Sequence, residues 1–98
     1  RINRRPMQEE FGEATYTVYV VCRREHQAEV HDKLDEWLHA AHYPVRTVDH
    51  HAFGQQDVEI EATLYATAVE APALDAIMER LMAEPGVQQA FWNARSED

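Results

Sequence analysis

Ninety-eight residues, 45% of them hydrophobic, are enough for one small core and one sheet, which excludes a globally disordered chain. The formal charge of -9 is unevenly spread, because Arg1, Arg4 and Arg5 are three of the nine basic residues and leave six against eighteen acidic side chains in the remainder. So acidic a body repels phosphate backbones, which excludes nucleic acid as a partner. The longest apolar run, Val18 to Cys22, is far too short to cross a bilayer.

Residues 1–13 show no useful period and contain Pro6, Gly12 and the acids Glu9, Glu10 and Glu13, so they read as a linker before a folded domain over 14–98. The Arg cluster at the tip fits either the cytoplasmic end of a transmembrane helix or an ordinary basic interdomain linker. With Arg1 in place of an initiator Met, the chain is expected to be a fragment of a longer protein.

From Thr15 to Arg23, Tyr16, Val18, Val20 and Cys22 alternate with Thr15, Thr17, Tyr19 and Val21, a strand with two partly apolar faces that suits the centre of a sheet. The period changes over Glu25 to His42, where Val30, Leu34, Trp37, Leu38 and Ala41 make one stripe of an amphipathic helix that Pro44 ends. Tyr43 to Phe53 reads as a polar edge strand, with Val45, Thr47, Asp49, His51 and Phe53 on one side. Gly54, Gln55 and Gln56 turn it into Asp57 to Thr67, the clearest alternation in the chain: Val58, Ile60, Ala62, Leu64 and Ala66 against Glu59, Glu61, Thr63, Tyr65 and Thr67. Pro72 opens a second helix with Leu74, Ile77, Met78, Leu81 and Met82 at helical spacing, and Pro85 and Gly86 stop it. Val87 to Ala94 is the last strand, with Val87, Ala90 and Trp92 inward, and Arg95 to Asp98 are expected to fray. The order βαββαβ with right-handed crossovers makes an α+β, ferredoxin-like sandwich. Both helices cover one face of a four-stranded antiparallel sheet, and the first and third strands are central.

Chemistry is sparse. Cys22 has no partner for an internal disulfide, fits a reducing compartment and reads as a small buried hydrophobe. Asp35, His39 and His42 can share one flank of the first helix and are the metal candidates, set against the plainer reading of exposed groups at a solvated helix end. Glu59 and Glu61 share a strand face and read as solvated surface rather than paired catalytic carboxylates. The only serine is Ser96, and none of Gly12, Gly54 and Gly86 belongs to a phosphate-cradling pattern. No catalytic residue, cofactor or enzymatic activity is therefore expected. Tyr19, Val21 and Tyr65 mark a partly apolar sheet face suited to self-association or to docking on another domain. The second helix and the edge strand around His50 are the other candidate contact surfaces, and the residues alone do not choose among them.

Arg1-Ile-Asn-Arg-Arg-Pro6 ahead of a βαββαβ domain, Val20-Val21-Cys22-Arg23 at the end of the first strand, and Glu84-Pro85-Gly86-Val87 with Trp92 resemble the C-terminal cytoplasmic domain of the MgtC/SapB family of bacterial inner-membrane proteins. The resemblance implies an ACT-like regulatory or protein-interaction domain on the cytoplasmic side of the inner membrane. It further implies a role in adaptation to low magnesium and in virulence. Its partner would be the membrane portion of the parent protein or another membrane protein, with a homodimer as a further possibility, and it would meet the membrane only through a part preceding this chain. The alternative is an ACT-type small-molecule or metal sensor working as a dimer. Against that reading, the loop Arg23-Arg24-Glu25-His26 lacks the glycine of ACT domains that bind amino acids.

Overall fold

Strand β1 (Ala14–Arg23) runs through a 3-10 turn (Arg24–His26) into helix α1 (Gln27–Ala40), followed by β2 (Val45–Phe53), β3 (Asp57–Leu64), α2 (Ala71–Met82) and β4 (Val87–Ser96). The computed structural model describes residues 14–96, so the linker expected over 1–13 lies outside the described residues. The sheet order is β2-β3-β1-β4 with every pairing antiparallel, the ferredoxin-like arrangement that the element order implies.

Alternation sends Val18, Val20 and Cys22 of β1 and Val58, Ile60, Ala62 and Leu64 of β3 to one face, where none is more than 4% exposed. There they meet Val30, Leu34 and Leu38 of α1 and Leu74, Ile77, Met78 and Leu81 of α2. Burying an aliphatic side chain of this size stabilises the fold by roughly 1.5–3 kcal/mol. Met82, expected on the α2 stripe, is instead 47% exposed at the last residue of the helix. On the outer surface, the Arg80 guanidinium lies 3.9 Å from the centre of the Trp37 ring and Lys33 Nζ lies 3.2 Å from Glu84 Oε1, so polar contacts join α1 to α2 and to the turn that follows it.

The ends of the elements have local causes. Helix α1 closes in a Schellman turn: His42 adopts φ 69°, its N–H donates to the His39 carbonyl (3.0 Å), and Tyr43 N–H donates to that of Leu38 (2.8 Å). Strand β3 ends at Leu64 rather than at Thr67, because its partner β2 begins at Val45, opposite Leu64, and the next N–H, that of Tyr65, is taken by the Pro44 carbonyl. The register of β2 shifts between Val45 and Thr47, so Val45 joins Val48 against the core instead of facing the other way with Thr47. Arg95 and Ser96, expected to fray, pair with Thr15 and Ala14, since β1 starts early enough to give them partners.

Gly86, at φ 84°, lies against the His26 ring so closely that a Cβ would overlap it. The loop after β1 is further tied by Arg23 N–H to the Gly86 carbonyl (2.9 Å) and Arg24 N–H to the Gln56 carbonyl (2.8 Å). One loop is thereby clamped between two turns.

Candidate interaction face

The face of the sheet away from the helices is set by the same alternation. Tyr19 stands between Glu61 of β3 and Phe91 of β4, Val21 between Glu59 and Gln89, and Thr17 between Thr63 and Asn93. The Tyr19 and Phe91 rings stack with centroids 5.0 Å apart and planes 16° apart, and Phe91 remains 42% exposed. Beyond Tyr19, Glu61 lies directly opposite Asp49 of β2, and Glu59 lies opposite His51. Two carboxylates in direct register repel, and His51 offsets part of that by bringing Nε2 to 3.1 Å from Glu61 Oε1. The open face therefore combines an aromatic stack with a strip of three carboxylates.

Of the residues expected on this face, Tyr19 is at its centre. Val21 is on it but only 2% exposed. Tyr65 does not join them: it follows the last residue of β3, 63% exposed, four residues or about 13 Å of strand from Glu61, the partner of Tyr19. The aromatic that does join Tyr19 is Phe91. It was legible in principle, because inward Ala90 and Trp92 send the residue between them outward.

The histidines are arranged otherwise than their sequence spacing suggests. Asp35, His39 and His42 are exposed, His42 shapes the end of α1, and among the described residues no three His, Cys, Asp or Glu side chains converge. The pair that meets is His31 of α1 and His50 on the helix side of β2, with Nδ1 of the first 2.9 Å from Nε2 of the second. His50 Nδ1 in turn lies 2.9 Å from Gln27 Oε1. Partial burial, and then the neighbouring His31, hold the His50 pKa below the usual imidazole range, against an opposing pull from Asp49.

On the helix side of β4, Trp92 Nε1–H donates to Asp75 Oδ1 (2.8 Å). Where β1 and β3 meet the turns, Arg23 Nε is buried 3.7 Å from Asp57 Oδ1, which accepts instead from Gln88 Nε2 (3.0 Å). These contacts hold the sheet rather than line a site.

The MgtC/SapB C-terminal domain model matches residues 16–92, a span that takes in both Tyr19 and Phe91. The chain belongs to the MgtC/SapB family. An uncharacterised protein of Synechocystis sp. is 28% identical over 100 residues, which cover 99% of this chain and 43% of that protein, so the chain spans less than half the length of this relative. The solution structure of the C-terminal domain of MgtC from Mycobacterium tuberculosis matches with a TM-score of 0.77 and 21% identity over 88% of this chain and 92% of that one. That likeness is one of fold, and it agrees with the βαββαβ sandwich of the MgtC/SapB domain described above.

Proposed function

We propose that this MgtC/SapB domain is a non-enzymatic regulatory module that works by binding protein. Its open sheet face docks on a basic segment of the membrane portion of the parent protein, on the cytoplasmic side of the inner membrane. In this reading it serves the family's adaptation to low magnesium and virulence by answering to a protein partner. The observation that carries the reading is the Tyr19–Phe91 stack beside Asp49, Glu59 and Glu61, an apolar anchor next to a cation-seeking strip. Asp49 facing Glu61 is locally unfavourable, and an arriving Arg or Lys relieves it. The same carboxylates disfavour a second copy of this face as occupant. The loop after β1 lends no support to the sensor alternative, since it has no glycine and is bonded into the turns at Gly86 and Gln56.

The test is photocrosslinking in membranes from cells that make the protein at its full encoded length. Benzoylphenylalanine replaces Phe91 in one sample and the exposed Glu79 of α2 in another. The expected result is a crosslink from position 91 to a basic segment of the membrane portion, lost in a Glu59→Lys, Glu61→Lys double variant and weakened by salt. Equal crosslinking from position 79, or a crosslink from position 91 to a second copy of this domain, overturns the reading.

A further inference from the structure

We propose that His31 and His50 form a site for a divalent transition-metal ion of the zinc, nickel or copper class, which would fasten α1 to edge strand β2. The site is on the helix side of β2, away from the open face, and stands apart from the docking reading.

The geometry that points to it is the orientation of His50. Its Nδ1 faces Gln27 Oε1, an acceptor, at 2.9 Å, so Nδ1 carries the ring proton and Nε2 presents its lone pair. An outer hydrogen bond from the second ring nitrogen to a carbonyl oxygen is the arrangement that orients metal-binding histidines. The lone pair of His50 points at His31 Nδ1, 2.9 Å away, with the two ring centroids 5.0 Å apart and the planes tilted by 44°. His31 now donates from Nδ1. When neutral His31 carries its proton on Nε2 instead, two lone pairs face one position and no proton is lost from the protein.

Distance and ligand type narrow the ion. Two nitrogens sharing a tetrahedral ion at about 2.0–2.1 Å stand about 3.3 Å apart, so the pair has to open by less than about 0.5 Å. His50 is exposed and His31 only half-buried, so the rings have room to move and water can complete the shell. Imidazole nitrogen suits zinc, nickel and copper, whereas magnesium and calcium call for oxygen ligands. The strongly negative chain favours the approach of any cation, which makes this choice of ligand the discriminating feature. His31 and His50 are separated by nineteen residues and bridge two elements, so a bound ion restrains β2 against α1, as no pair within one helix does.

The experiment is a titration of the 98-residue chain with zinc chloride and with nickel chloride at pH 7.5, followed by calorimetry and by histidine-ring nitrogen NMR, with magnesium chloride run in parallel. The expected result is one ion per chain at micromolar concentration, joint shifts of the His31 and His50 ring signals, a Tm that rises with zinc, and no response to magnesium. His50→Gln and His31→Gln should each weaken binding at least tenfold, whereas a His39→Gln, His42→Gln double variant should bind as the parent does. Binding that survives both single variants, ring shifts elsewhere, or no saturation below millimolar zinc overturns the proposal. Exchange of the two side chains for glutamine at this accessible margin leaves the core untouched, and an unchanged amide spectrum outside α1 and β2 verifies that.

Discussion

Val20 and Val21 are neighbours on β1 and nearly equally hidden, for different reasons. Val20, 0% exposed, lies under the helices among Ile60, Leu34 and the other side chains of the core. Val21, 2% exposed, faces away from the helices, with Glu59 and Gln89 as its cross-strand neighbours. On the covered face, burial comes from branched side chains interlocking between two layers, which cannot follow a retreating neighbour. On the open face the cross-strand neighbours of Val21 are the flexible side chains of Glu59 and Gln89, which can. Equal exposure therefore conceals unequal rigidity, and the freer face is the one available to a partner.

The largest effect should separate the two faces outright. Ile60→Ala leaves a hole between sheet and helices and is expected to cost about 2–5 kcal/mol, read as a lower urea midpoint at unchanged slope. Val21→Ala removes two methylene equivalents where Glu59 and Gln89 can close over the gap, and the expected loss is under about 1.5 kcal/mol. Equal losses for the two would mean that the open face is as tightly packed as the core and would break the contrast.

A smaller effect sharpens it. The stack of Tyr19 on Phe91 is the one aromatic pair on the open face among the described residues, and it spans two strands already joined by backbone bonds. A double-mutant cycle with Tyr19→Ala and Phe91→Ala should give a coupling of about 0.5–1.5 kcal/mol in thermal or urea unfolding. If the coupling is near zero, the rings are free to part, and the stack is better regarded as two contacts offered to a partner than as one support of the fold.

The covered face was the more legible of the two because periodicity reports on a neighbouring layer. Val58, Ile60, Ala62 and Leu64 alternate, and Val30, Leu34 and Leu38 repeat every four residues, because each set answers to one surface. What periodicity does not carry is where a partner stops. The early end of β3 follows from the start of β2, the bulge at Arg46 from the fit of Val45 to the core, and the pairing of Arg95 and Ser96 from the start of β1. The candidate face was half legible: Tyr19 could be placed on it, whereas Tyr65 owed its place to a strand three residues longer than the real one. The His31–His50 contact had no local signal, since it depends on how α1 is set across β2, and the spacing of His39 and His42 drew attention to a helix end instead.

The smallest predicted effect tests whether the covered face stays closed. Burial pushes the Cys22 thiol pKa up, and nearby Asp57 adds to the rise, so the folded chain keeps the thiol proton at pH values where the unfolded chain releases it. A group whose folded pKa is raised contributes stability that is whole below its unfolded pKa and is lost as pH climbs through the folded one. The window therefore opens near the ordinary thiol pKa of about 8.5 and extends upward. Above it, the parent chain should lose stability with pH more steeply than Cys22→Ala, while the packing lost in the variant shifts its whole curve down without changing its slope. Every other ionisable side chain is common to both chains, so the difference between the two slopes isolates the thiol. Parallel slopes would show that water reaches Cys22 without unfolding the sheet. In that case the helices lift from β1 more readily than the 0% exposure of Cys22 implies, and the two faces differ less in rigidity than in composition.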